Sequence, residues 1–298
     1  MRLEGRRVSE NVEDRRRSKA PAVAAGGGAI VLVIYLIATF LGVDPKPLVN
    51  QIGAQQQRAV EQAPAGQERQ LTPEEEAQGK EAAQILALTE DVWKDLWTRS
   101  PILQQHGDRY QPPKMVLFSG QTRSGCGFAS SATGPFYCPA DSKVYLDTSF
   151  FTELEKRFGA KGDFARAYVI AHEVGHHIQH LMGTTDKVDA QRGKISEVEM
   201  NRLSVRLELQ ADYLAGVFAN MLQGDERILE KDDIDEAIMC AQAIGDDRLQ
   251  EMSRGKGNVV PDSFTHGTSD QRIRWFLNGF TSGDLQGADT FKVPYDQL

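Results

Sequence analysis

Apolar and polar positions change their spacing several times along the chain, and each change marks an element. From residue 77 the helical period is clear in "AQGKEAAQILALTEDVWKDLWTRS", which Pro101 ends. Three short apolar runs follow, at 114–119, 134–139 and 143–149. They read as strands, the last two separated by the turn-forming "ADS". Helical spacing then returns over Thr148–Phe158, Phe164–Met182, Ser196–Leu222, Asp233–Ile244 and Ser269–Phe280. Asp163 is placed to N-cap the Phe164–Met182 helix and Gly183 to close it. A few early strands followed by many helices predict an α+β fold, mostly helical with a small early β-sheet.

Upstream, residues 22–43 ("AVAAGGGAIVLVIYLIATFLGV") carry no charge. At about 1.5 Å per residue they would span about 33 Å, enough for the hydrocarbon core of a bilayer. The run is long for a buried core helix. It also exceeds the usual apolar region of a cleaved signal peptide, and no small-x-small cleavage site follows it. The expectation is a single N-terminal transmembrane helix behind a basic cytoplasmic segment, residues 1–21, in which seven Lys and Arg crowd the first nineteen positions. Positive residues stay inside, so this reading puts the N-terminus in the cytoplasm and the rest outside a bacterial cytoplasmic membrane. Residues 44–76, rich in Gln, Ala, Pro and Glu, have too few aliphatic side chains for a core and read as a flexible tether. Residues 77–298 form the catalytic domain of this reading.

A net charge of −8 and a pI near 5.4 argue against a nucleic-acid partner. Cys126 and Cys138 enclose a Gly/Ser-rich stretch and are too far apart for the usual close-set zinc pair. They read as a disulfide in an oxidising compartment, against two unpaired small core residues. Cys240 reads as a buried helix residue.

The stretch "AYVIAHEVGHHIQH" (167–180) holds four of the chain's six histidines. On the predicted helix Ile170, Val174, Ile178 and Leu181 share one arc, with His172, Glu173, His176 and His180 roughly opposite. His172 and His176 are four residues apart, so their imidazoles project side by side, as two ligands of one tetrahedral ion must. Glu173 points towards the open position of such an ion, which is the H-E-x-x-H arrangement of zinc peptidases with the glutamate as general base. His177 reads as a surface residue, and His180 as a rim or supporting residue. A third protein ligand is required. In "RLELQADYLAGVF" Glu208 and Asp212 share a face with Ala211 and Ala215, a stripe narrow enough for close helix approach. Two carboxylates at this spacing repel, and a nearby cation relieves them. Glu208 is the candidate ligand and Asp212 the candidate partner of a ligand histidine's N–H. The alternative is an exposed acidic face paired with Arg202 or Arg206.

Together "HEVGHHIQH", "LELQADYLAG", "TGPFYCPADSKVYLDTSFF", "AIGDDRLQ" and "HGTSDQRIRWF" resemble the bacterial neutral zinc metallopeptidase family. The likeness extends to the N-terminal "MRLEGRRVSENVEDRRR" and so covers nearly the whole chain except the tether. It implies a gluzincin-like peptidase with a zincin-like domain and one zinc ion per chain. His172, His176 and Glu208 would be ligands, Glu173 the base, and Asp212 would stand behind a histidine. Tyr213 stands where the family often has Cys, a departure that touches packing and not the ligand set. Protein or peptide substrates follow. His266, just before the last helix, is the candidate second donor to the oxyanion, with Tyr137 and Tyr145 as weaker candidates. A substrate could add to the edge of "GPFYC" by main-chain hydrogen bonds. Two other readings are a non-haem iron oxygenase, which also uses two histidines and a carboxylate, and a catalytically silent, zinc-stabilised, membrane-tethered scaffold. Oligomeric state and substrate identity are open.

Overall fold

Thr72 opens the first long helix, α1 (Pro73–Arg99), through a reciprocal capping box with Glu75, and Pro73 and three glutamates occupy the first turn. These signals start the helix inside the stretch expected to be tether, so that reading fails for residues 73–76. The computed structural model describes residues 1–17, 69–224 and 228–298. The expected transmembrane anchor, 22–43, and most of the tether lie outside the described residues. Among the described residues no helix is long and apolar enough to cross a membrane.

A short helix α2 (Pro101–Gln104) leads to the strands β2 (Lys114–Phe118), β3 (Gln121–Ser124), β4 (Gly127–Ser130), β5 (Phe136–Cys138) and β6 (Lys143–Asp147). The main sheet has the order β1-β2-β6-β5, where β1 is Val12–Asp14. β1, β2 and β6 run parallel and β5 is the antiparallel edge, with Phe136 opposite Tyr145. β3 and β4 form a separate hairpin. A disulfide joins Cys126, just before β4, to Cys138 at the end of β5, as the sequence predicts.

The N-terminal segment is not a separate arm but part of the folded domain. Residues 12–14 pair with β2, Leu3 and Val12 pack on the main core, and Met1 is buried. The Ser9 N–H donates to Ala83 O of α1 at 3.1 Å. The arginines that suggested a cytoplasmic anchor are taken up by carboxylates. Arg7 pairs with Glu90 and Asp91, Arg16 with Asp14, and Arg17 with Glu76. The Arg69 N–H donates to Arg17 O at 3.1 Å, so the last residue described before the gap and the first one after it are in contact. Residues 1–17 are thus packed into the same body as the domain that follows residue 69.

Helices make the rest: α3 (Ser149–Lys156), α4 (Asp163–Leu181), α5 (Thr184–Asp189), α6 (Glu197–Leu222), α7 (Asp233–Ala243), α8 (Asp246–Arg254) and α9 (Ser269–Ser282). α6 crosses α9 with no side-chain layer between them. A Cβ on Gly216 would lie 2.0 Å from Phe276 O, and one on Gly279 would lie 2.0 Å from Tyr213 O. Cys240 is buried and unpaired in α7, where burial pushes its thiol up to about 12.

Candidate metal centre

The histidine helix does not start as expected. Asp163 is its first helical residue, Gly162 precedes it at φ +105°, and no side chain of either caps it. The Phe164 N–H instead donates to Glu236 Oε2 of α7 at 2.9 Å. Asp163 and Asp233 accept from the Met1 amino group. The ammonium and the helix start occupy the one other carboxylate cluster, Asp163–Asp233–Glu236, that among the described residues is compact enough for a cation. Gly183 follows the helix in the left-handed region, as predicted.

α4 is buried on nearly all sides, so the arc opposite Ile170 and Val174 faces another helix, not solvent. That helix is α6, which begins with a Ser196–Glu199 capping box. The two meet at Gly175, where an added Cβ would lie 3.0 Å from Ala211 O. This approach carries Glu208 to the histidines. His172 Nε2 lies 3.1 Å from Glu208 Oε2, and His176 Nε2 lies 3.5 Å from Glu208 Oε1. One ligand atom from each of the three residues lies within 4.8 Å of the others. The alternative of an exposed acidic face on α6 does not hold, since Asp212 has no accessible surface.

The donor chemistry fits a zinc ion. His172 Nδ1 is 2.8 Å from Asp212 Oδ1 and His176 Nδ1 is 2.8 Å from Gln179 Oε1. These acceptors take the proton on Nδ1 of each ring and leave both Nε2 atoms facing Glu208, where each is free to hold a metal ion once deprotonated. The electrostatics agree. Burial lowers the His176 pKa, but the charge and hydrogen bond of Glu208 outweigh it and raise it to about 9. Burial raises the Glu208 pKa, but His176, His266 and the bonds from both histidines hold it well below the usual carboxylate range. The site favours positive charge between these three groups. Glu173 is buried beside them, and its charge adds to the rise at His176.

Behind His172 stands a second layer. Asp212 Oδ1 also accepts from Tyr168 Oη at 2.6 Å, and Arg272 of α9 binds Asp212 through Nε (2.9 Å) and Nη2 (3.0 Å). Burial would raise the Asp212 pKa, but Arg272 first and His172 second lower it to about 2. Behind His176, Gln179 is pinned by donating to Leu207 O at 2.6 Å and to Gln210 Oε1 at 3.1 Å. Tyr168, Gln179 and Arg272 were not legible as site residues. Their pattern along the chain is that of ordinary helix positions, and only contacts between helices reveal them.

His177 is not a surface residue. It is 2% exposed, its Nε2–H donates to Gln111 O at 2.6 Å, and its Nδ1 accepts from Tyr137 Oη at 3.0 Å. It therefore clamps the edge strand β5 to the metal helix, and burial lowers its pKa to about 4. His180 is half-buried at the helix end with its Nδ1 3.8 Å from Asp186, a rim position. Tyr145 hydrogen-bonds Asp141 at 2.7 Å and stacks on Phe136, within the smaller core cluster on the sheet and not at the site.

His266 lies in the loop before α9. The backbone N–H groups of Thr265, His266 and Gly267 all donate to Asp246 Oδ2, at 2.7, 2.6 and 3.2 Å. The ring Nδ1 lies 3.2 Å from Asp246 Oδ1. The His266 side chain is half exposed; desolvation would lower its pKa, but Glu208 and Asp246 raise it, which places the ring within electrostatic reach of the Glu208 carboxylate.

Two buried helices that present two imidazoles, a carboxylate and an adjacent glutamate define a metallopeptidase-type centre. The chain belongs to the family described as "Putative neutral zinc metallopeptidase", which it matches over residues 1–291. It is 46% identical over 300 aligned residues to the uncharacterized protein YpfJ of Escherichia coli K12, covering 98% of this chain and 99% of that one. It is also 44% identical over 194 residues to the uncharacterized protein Rv2575 of Mycobacterium tuberculosis H37Rv, covering 62% and 64% of the two chains. No solved structure matches it.

Proposed function

We propose that this chain is a zinc-dependent endopeptidase with His172, His176 and Glu208 as ligands of one zinc ion and Glu173 as general base. The observation that carries the reading is the convergence of both Nε2 atoms on Glu208, with each Nδ1 already engaged. Zinc in such a site supplies a Lewis acid for the scissile carbonyl and acidifies water. The Glu173 carboxylate takes the proton of the attacking water and returns it to the leaving amine. His266, oriented by Asp246 through Nδ1, offers its Nε2–H to the oxyanion. The free edge of β5, held beside α4 by the Tyr137–His177 bond, offers main-chain groups to an extended peptide. The Cys126–Cys138 disulfide supports a domain outside the cytoplasm, with residues 1–17 on the same side.

The test is hydrolysis of an unstructured protein such as casein by full-length protein, before and after chelation and zinc return. Chelation should abolish cleavage and zinc restore it, while Glu173→Gln should keep its zinc and lose about 10²–10⁴ in turnover. A wild-type protein that holds stoichiometric zinc and cleaves no peptide would favour a zinc-stabilised scaffold. Cleavage unaffected by chelation would refute the site.

A further inference from the structure

We propose that Arg272 is a positioning residue of the metal centre. It grips both oxygens of Asp212, so that Asp212 orients His172 and cannot itself turn to the ion. The inference rests on the ligand set proposed above.

Glu208 and Asp212 are one helical turn apart on the same face of α6, and the sequence reading makes Glu208 the ligand and Asp212 the partner of a ligand histidine. The structure distinguishes them by their partners. Both Asp212 oxygens are bound by one guanidinium, Nε to Oδ2 at 2.9 Å and Nη2 to Oδ1 at 3.0 Å. Oδ1 also takes the Tyr168 hydroxyl at 2.6 Å and His172 Nδ1 at 2.8 Å. A two-point fork fixes the plane of a carboxylate where an ammonium would hold only one oxygen. With that plane fixed, the direction in which Oδ1 meets the imidazole is fixed, and with it the rotation of the His172 ring. Among the described residues no guanidinium clamps the Glu208 oxygens, which face the two Nε2 atoms.

Burial and charge point the same way. Asp212 and Arg272 are 0% and 3% exposed. A buried ion pair adds little net stability over an apolar substitute, so stability alone does not account for it. Here the guanidinium balances the fully buried carboxylate, Asp212, and leaves the charge of its partly buried neighbour, Glu208, for a cation. Arg272 can reach this far because α9 lies directly on α6 at Gly216 and Gly279. Its Nη2 also donates to the Tyr168 hydroxyl at 3.2 Å, so α4, α6 and α9 share one hydrogen-bonded node.

The experiment measures zinc dissociation constants by chelator competition, all in the Glu173→Gln background so that turnover plays no part. The variants are Arg272→Lys, Asp212→Asn and the neutral pair Asp212→Asn/Arg272→Gln, each first shown folded by thermal melting without metal. Arg272→Lys keeps the charge and loses the fork, and should weaken zinc binding about 10–100-fold, as losses behind a ligand do. The neutral pair should bind zinc no more weakly than Asp212→Asn alone, because Arg272 acts through Asp212. If Arg272→Lys does not fold, the neutral pair compared with Asp212→Asn still decides. An Arg272→Lys protein with wild-type zinc affinity, or a further tenfold loss in the neutral pair, would overturn the proposal. A parent protein that binds no zinc would instead overturn the ligand set.

Discussion

Each residue at the centre is defined by which of its atoms is already engaged. Both histidines spend Nδ1 on an acceptor, Asp212 for one and Gln179 for the other, and turn Nε2 towards Glu208. Removing a ligand and removing a supporting acceptor should therefore differ in degree. His172→Ala, His176→Ala and Glu208→Ala should each lose zinc. Asp212→Asn should weaken its binding about 10–100-fold, and Gln179→Leu should act in the same range through His176. Metal analysis after dialysis against graded chelator gives the order. Stoichiometric zinc in Glu208→Ala together with zinc loss in Glu173→Gln would reverse the assignment of the two glutamates. His177 shows how far one contact can alter a residue's meaning. Its place in "HEVGHHIQH" suggested exposure, yet Gln111 O and Tyr137 Oη make it a buried clamp.

Among the elements, close helix contact matters more than helix propensity. Glycine in a helix interior ordinarily costs about 1 kcal/mol relative to alanine. Gly216 reverses that balance, because its Cβ would strike Phe276 O at 2.0 Å and push α9 off α6. Gly216→Ala should destabilise by about 1–3 kcal/mol or more in urea unfolding and weaken zinc binding as Arg272 withdraws. Unchanged stability would mean that the helices are not in direct contact. Strand β1 makes a second, pH-dependent prediction. Glu13 is lowered to about 2, by hydrogen bonds from Arg15 first and then Lys143, which ties β1 to β6. A depressed carboxyl stabilises above its unfolded pKa of about 4.5 and loses that contribution as pH falls towards 2. Glu13 is partly exposed, so solvent screening keeps the effect small. Urea midpoints of wild type and Glu13→Gln should differ slightly at pH 6 and converge near pH 2. A gap that widens with acid would contradict the pairing.

For the whole molecule, the question is whether the chain's first residues and the later domain lie in one compartment. Residues 1–17 supply a strand, core side chains and ion pairs to the domain that carries the metal centre. Cysteines placed at Arg17 and Arg69, whose backbones are hydrogen-bonded, should crosslink efficiently in intact cells under mild oxidation. If residues 1–21 were cytoplasmic and the domain external, the bilayer would separate the two cysteines and no crosslink would form.

Several elements were legible because their signals are local. Helical period located α4, α6 and α9 to within a few residues, and Glu173 between His172 and His176 is set by helical spacing alone. The disulfide and the alanine-flanked face of Glu208 were readable for the same reason. Missed elements depend on partners far along the chain. β1 is three residues long and exists because β2 lies beside it, while β3, β4 and α8 have too short an apolar pattern to register. The basic N-terminal segment looked like a topology signal because charge was counted without its carboxylate partners on α1. So the sequence by itself determined the helices and the order of the ligand residues, which depend on neighbours within a turn or two. Only the tertiary structure decided that Asp212 stands behind His172 under Arg272, that His177 is a clamp, and that the chain's first residues belong to the domain. Those facts rest on contacts between residues 40 to 162 positions apart, whose geometry no local periodicity encodes.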